Sequence, residues 1–418
     1  MKIEIKPSKI QGQLHAPASK SMLQRAIAAA FLSEAVTTLN GFTSSADAEA
    51  ALRLVQDLGQ TVQRKGNSLV FSSKNRPKTN QLNIGESGLG IRLFSPILAL
   101  TDQQFSLDAL GTLRKRPLIL IENVLKSLGA KCETDNGFAP IRIKGPLKTG
   151  MLAFNSSEGS QLLSGLLMAL PKAKFSSELL VSNLKSKPYI DMTLRLLTDF
   201  GINIIQKEYN QFVIPGNQTY FNSEYAVEGD WSGAAFLLVA AAINGSVRIE
   251  NLRADSFQGD KQIVDVLKKV GATVNQSDNS LFVQKNQLKA FEFDATESPD
   301  LFPPLAALAV ACKGISRIKG VHRLKHKESN RAEAIQQIFD KLGLHMEIVE
   351  DEMVIHGKQP RGGWVSSFQD HRMAMMAAIL GLSAKNSVEI SESESVEKSY
   401  PHFFDDLQKL GAKWHYLD

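Results

Sequence analysis

Lys20, Ser21 and Arg25 follow Pro17-Ala18-Ser19, and Ser21 and Arg25 stand one helical turn apart, so both can face one ligand at a helix start. The ligand such a cluster suits is an anion, because a guanidinium fork bonds two oxygens of a carboxylate or phosphate at once. Three further segments repeat the theme: Leu184-Lys185-Ser186-Lys187-Pro188-Tyr189, Lys327-Glu328-Ser329-Asn330-Arg331 and Asp370-His371-Arg372. Each also admits a plainer reading. Glu328 and Arg331, three apart, are an ordinary helical ion pair, and Arg372 can simply pair with Asp370. Asp300, ahead of Leu-Phe-Pro-Pro, is an N-cap candidate, as are Glu158 and Asp230. Arg116, before Pro117, suits a surface position, and His371 reads equally as a cap or as a residue orienting its neighbours.

The elements that must position these residues recur. Six times an apolar residue is followed by glycine, at Gly59, Gly129, Gly201, Gly271, Gly343 and Gly411, in steps of 70, 72, 70, 72 and 68. A glycine there suits the left-handed residue that stops a helix. An alternating hairpin pattern follows, as in GATVNQSDNSLFV, and an amphipathic helix precedes, as in Ile263, Val266, Leu267 and Val270. A second helix repeats with the same period and is apolar nearly all round, from SMLQRAIAAAFL at Ser21 to DHRMAMMAAILGL at Asp370. Helices of that kind belong inside a core. Yet all six open on polar residues, among them Lys20-Ser21, Glu86-Ser87, Ser160-Gln161, Asp230, Asp300 and Asp370. If three such helices run parallel in each of two domains, their N-termini form one face that attracts anions. The expected fold is α/β, with two similar domains of three repeats and a seam near Glu228-Gly229.

Bulk properties exclude other classes. The chain has 418 residues, a net charge of +5 and no dense basic run, so nucleic acid is not an expected partner. No apolar run approaches a membrane span and the N-terminus is too polar for a signal peptide, so a cytoplasmic location without membrane contact is expected. Cys132 and Cys312 lie far apart and read as reduced thiols, not as a metal site.

Taken together, these segments resemble the signatures of the EPSP synthase family of enolpyruvyl transferases, in order and in spacing. The resemblance extends over nearly the whole chain, through Glu228-Gly229-Asp230, Gln258-Gly259-Asp260 and Lys398-Ser399-Tyr400-Pro401. It implies two domains of βαβαββ units, residues 13–228 and residues 1–12 plus 229–418, with the active site between them and closing on ligand. It implies transfer of the enolpyruvyl group of phosphoenolpyruvate to the 5-hydroxyl of shikimate 3-phosphate, by addition and elimination through a tetrahedral intermediate. By the match, Lys20, Gly88, Arg116, Gln161, Arg331, Arg372 and Lys398 hold phosphoenolpyruvate. Lys20, Ser21, Arg25, Ser160, Gln161, Ser186, Tyr189, Asp300, Arg323 and Lys327 hold shikimate 3-phosphate. Asp300 matches the aspartate assigned to the attacking hydroxyl, and Glu328 or Lys20 delivers the proton to the methylene carbon. No metal or cofactor is implied, and the family points to a monomer.

The chain departs from the family pattern at Gly159, often serine, at Arg323, often asparagine, and in the loop Gly85-Glu86-Ser87-Gly88-Leu89-Gly90. Two rivals stand beside this reading. One is the sister transferase acting on UDP-N-acetylglucosamine, which pairs Lys-Asn with a loop cysteine; here Lys20-Ser21 and Arg114-Lys115-Arg116-Pro117 occupy those regions. The other is a catalytically silent anion-binding homologue, whose mark would be loss of Asp300, Glu328 or the arginines.

Overall fold

The computed structural model describes every residue except Thr149, His326 and Asp418. All six repeat glycines adopt positive φ, between 70° and 101°, and end the amphipathic helices as the spacing predicts. The apolar helices form at Lys20–Leu32, Gly88–Leu98, Gln161–Ala169, Trp231–Asn244, Phe302–Ala311 and His371–Ser383. Burial is nearly complete along them; in Trp231–Asn244 only Ser232 and Asn244 escape it. Side chains cap four of the starts: Ser19, Ser87, Asp230 and Asp370 each accept a backbone N–H from the first turn.

Each repeat closes a four-stranded sheet. In four of them the strand before the buried helix pairs in parallel with the strand after it, as Gln81–Asn83 does with Gln104–Asp108; an antiparallel hairpin completes three of these sheets, and Lys2–Lys6 with Lys413–Leu417 completes the fourth. The other two repeats exchange their first strands. Ile10–His15 precedes the helix Lys20–Leu32 but pairs with Gly245–Glu250, while Glu224–Ala226 precedes Trp231–Asn244 but pairs with Thr37–Asn40.

The chain divides into two compact units, Met1–Pro17 with Glu228–Asp418, and Ala18–Val227. A boundary at residue 12 would cut the strand Ile10–His15, whose pairing with Gly245–Glu250 moves the seam to its far end. In the first unit the strand Lys2–Lys6 lies between Val388–Ser391 and Lys413–Leu417, burying Ile3 and Ile5 completely. Each unit has its own apolar core, built on its three buried helices. Hydrogen bonds join helix starts within a unit: Ser87 Oγ donates to Gln24 Oε1 at 2.9 Å, and Arg372 Nη2 to Asp300 Oδ2 at 3.1 Å.

Candidate active site

In the unit Ala18–Val227, Lys20 opens its helix and pairs with Asp47 at 3.0 Å. Arg25, one turn on, is 1% exposed. Its guanidinium donates to Thr193 Oγ1 (2.8 Å), the Ser21 carbonyl (2.8 Å), Ser164 Oγ (3.2 Å) and the Tyr189 carbonyl (3.3 Å). Four of its five N–H groups thus brace the helices Lys20–Leu32, Gln161–Ala169 and Pro188–Asp199 against one another. Burial pulls its pKa down to about 10. Arg25 is first a brace; any ligand contact comes in addition. The same brace steadies Tyr189, which packs on the core beside Ser186, a residue at φ 60°.

Gly88 and Arg116 meet. A Cβ on Gly88 would collide with Arg116 Nη1 and lie 3.0 Å from its Cζ, so glycine is what lets the guanidinium reach the helix start. Arg92, a turn further on, donates to the Gly88 carbonyl at 3.0 Å and the Pro117 carbonyl at 3.2 Å. Burial, and then the neighbouring Arg116 charge, pull Arg92 down to about 9. Arg92 and Arg116 are like charges that repel each other, a repulsion that Glu158 partly offsets at Arg92 and that an anion would relieve, and the buried Arg116 Nε has no hydrogen-bond partner among the described residues. Ser160 is buried at the start of Gln161–Ala169, with Gln161 in its first turn. Gly159 before it holds φ 138°, where a side chain strains the backbone, which gives the departure from serine a local cause.

In the other unit the helix starts converge on carboxylates. Asp300 Oδ1 accepts from Arg331 Nη1 at 2.8 Å and Lys327 Nζ at 3.2 Å, and Oδ2 from Arg372 Nη2 at 3.1 Å. Arg331, 1% exposed, also donates to Glu328 at 2.6 Å and to Asp370 at 2.8 and 3.2 Å. Burial works against its charge, but Asp370, Glu328 and Asp300 outweigh it and hold the pKa above the ordinary arginine value. Lys327 goes the other way: burial lowers its pKa against the opposing pull of Asp300. Asp370 caps its helix through the Arg372 N–H at 2.9 Å while its carboxylate binds Arg331; the Arg372 guanidinium goes to Asp300, not to Asp370 as the simple pairing would have it. Lys398 donates to the Gln369 carbonyl at 2.9 Å, and Arg323 to the Thr296 carbonyl at 3.2 Å. Phe368 and Gln369 both hold positive φ just before Asp370, strain that the capped helix start must sustain.

Residues 5–407 match the family profile of EPSP synthase (3-phosphoshikimate 1-carboxyvinyltransferase). The chain belongs to the EPSP synthase family. It is 36% identical over 421 residues to the 3-phosphoshikimate 1-carboxyvinyltransferase of Clostridium acetobutylicum, covering 99% of this chain and 98% of that one. The enzyme of that name from Clostridium botulinum (strain Alaska E43 / Type E3) is 34% identical over 423 residues, with 99% and 98% covered. A solved EPSP synthase from Acinetobacter baumannii shares the fold, with a TM-score of 0.85, 24% identity and 99% of each chain covered. As a member of this family the chain is an enzyme, a transferase of enolpyruvyl groups in the shikimate route to the aromatic amino acids. These relatives lend nothing to the UDP-N-acetylglucosamine rival.

The family match gave no role to Arg92 or to Asp260, although Gln258-Gly259-Asp260 is one of the matching segments. Arg92 follows Gly88 by the four residues that separate Arg25 from Ser21, a spacing that marks it. Asp260 carries no such signal.

Proposed function

We propose that this member of the EPSP synthase family joins phosphoenolpyruvate to the 5-hydroxyl of shikimate 3-phosphate using the residues described above. The observation that carries the assignment is Asp300, a carboxylate at a buried helix start with three cations within 3.2 Å. Asp300 takes the proton of the attacking hydroxyl. Arg331, Arg372, Lys398, Lys20, Arg116 and Arg92 bind the carboxylate and phosphate of phosphoenolpyruvate and stabilise the departing phosphate. Gly88 and Gln161 assist them. Ser21, Arg25, Ser160, Ser186, Tyr189, Arg323 and Lys327 serve the sugar phosphate.

Two groups compete to protonate the methylene carbon. Lys20 already carries its proton in the ion pair with Asp47, whereas Glu328 is held as a carboxylate by Arg331. That supports Lys20 as the donor. One proton of the methyl group so formed leaves carbon again when the tetrahedral intermediate expels phosphate.

The proposal places the enzyme in the cytoplasm as a monomer needing only its two substrates. Among the described residues no helix is long and apolar enough to cross a membrane. The test is phosphate release from phosphoenolpyruvate with shikimate 3-phosphate by the full chain. No release by folded protein overturns the assignment, and a dimer in sedimentation velocity overturns the monomer.

A further inference from the structure

Asp260 is a buried titratable group that the proposed reaction leaves unused. It is 2% exposed, in the turn Gly259–Gln262, and the fold grips that turn from both ends. On one side Gln258 clasps a helix start: its Oε1 accepts from Trp231 N at 3.1 Å and its Nε2 donates to the Gly229 carbonyl at 2.8 Å. On the other, Ser298 Oγ, two residues before Asp300, donates to Gln262 Oε1 at 3.0 Å. The turn is therefore tied to the helix start bearing Asp230 and to the segment bearing Asp300, whose carboxylate holds Arg372 at 3.1 Å. Desolvating a carboxylate is expensive, so its burial next to that ion pair calls for a use. Burial pushes its pKa up to about 6; the charge of Asp300 adds to the rise, Arg372 opposes it, and Asp230 adds a smaller push.

We propose that Asp260 is a positioning residue that shares the Arg372 guanidinium with Asp300 and sets how much of its charge an incoming anion can use. The proposal rests on the reading that Arg372 receives phosphoenolpyruvate. With Asp260 neutral, Arg372 answers to Asp300 and the substrate; with Asp260 ionised, a second carboxylate competes. The charged groups around it are Asp230 at the start of Trp231–Asn244, Asp300 in its own turn and Arg372 on His371–Ser383. Behind Asp300 stand Lys327 and Arg331, and Arg331 also pairs with Glu328 and Asp370.

The experiment is steady-state kinetics of the full chain and its Asp260→Asn variant from pH 5 to 8. Asparagine keeps a hydrogen-bond acceptor and removes only the charge. Ionisation of phosphoenolpyruvate itself is common to both proteins and cancels in their ratio. The wild-type KM for phosphoenolpyruvate, divided by that of the variant, should rise by about threefold to tenfold through pH 6. The KM for shikimate 3-phosphate and kcat should move far less. A ratio that stays flat with pH overturns the proposal.

Should the variant fail to fold, the wild-type protein carries the test through sulfate, which is fully ionised across this range. Its inhibition constant against phosphoenolpyruvate should weaken as pH rises through 6. A flat constant, or no competition, overturns the role of Asp260. A wild-type chain that releases no phosphate overturns the functional reading beneath it, a separate outcome.

Discussion

Buried arginines stand near the helix starts of both units, but their partners differ in kind. In Ala18–Val227, Arg25 and Arg92 are held by carbonyls and hydroxyls, which orient a guanidinium without cancelling its charge. In the other unit Arg331 faces three carboxylates and Arg372 faces Asp300, so orientation and neutralisation come together. The first arrangement leaves positive charge to draw anions in. The second stores acid and base groups in a fixed geometry whose cations an anion must share. One unit orients its buried arginines without neutralising them, and the other neutralises them as it orients them.

The contrast breaks most visibly at Asp300. Asp300→Asn should lower kcat by about 10²–10⁴-fold, without raising the KM for phosphoenolpyruvate, because Arg331 and Arg372 lose a competitor. A kcat within tenfold of wild type would remove Asp300 as the base. Next comes Gly88→Ala, which displaces Arg116 and should raise the KM for phosphoenolpyruvate roughly 10–100-fold. The melting temperature and the KM for shikimate 3-phosphate should hardly change; a general loss of both would mean that Gly88 serves the core instead.

Arg25→Ala tests the neutral-partner arrangement through stability, since it removes the buried donor shared by Thr193, Ser164 and the Ser21 and Tyr189 carbonyls and leaves a cavity among three helices. Denaturant unfolding should show a loss of about 2–4 kcal/mol, and a loss under about 1 kcal/mol would refute the brace. Asp260 supplies the pH test. Its folded pKa, about 6, lies above the ordinary 3.8, so the folded state holds the proton more tightly. The stability this contributes is complete below pH 3.8 and is lost as pH rises through 6, on the order of 2 kcal/mol. Unfolding at pH 4.5 and 7.5 should show that slope in wild type and its absence in Asp260→Asn. The smallest effect concerns Cys132 and Cys312, whose thiols burial pushes up to about 12. Neither should react with iodoacetamide at pH 7.5 until the chain unfolds, and native labelling would contradict their burial.

What could be read in advance was local. The need for a left-handed residue after each amphipathic helix belongs to one position, so Gly59 to Gly411 announced the repeat and the helices around it. Helix starts bearing Lys20, Asp300 and Asp370 were legible for the same reason. Pairing between distant strands was not: Glu224–Ala226 is three residues long, too short for an alternating pattern, and its partner lies at Thr37–Asn40. Arg25 announced a cation near a ligand, but nothing nearby in sequence revealed the hydroxyls of Ser164 and Thr193 around it. Asp260 depends entirely on neighbours brought in from residues 230, 300 and 372.

The strand Lys2–Lys6 has a consequence for how the protein is made. A ribosome delivers residues 18–227 as one continuous stretch that includes every strand of its three sheets, so that unit can fold while synthesis continues. The first residues have no such option. Ile3 and Ile5 find their flanking strands only after residue 391 on one side and residue 417 on the other have been added. Until both have emerged, the strand Lys2–Lys6 must wait unpaired.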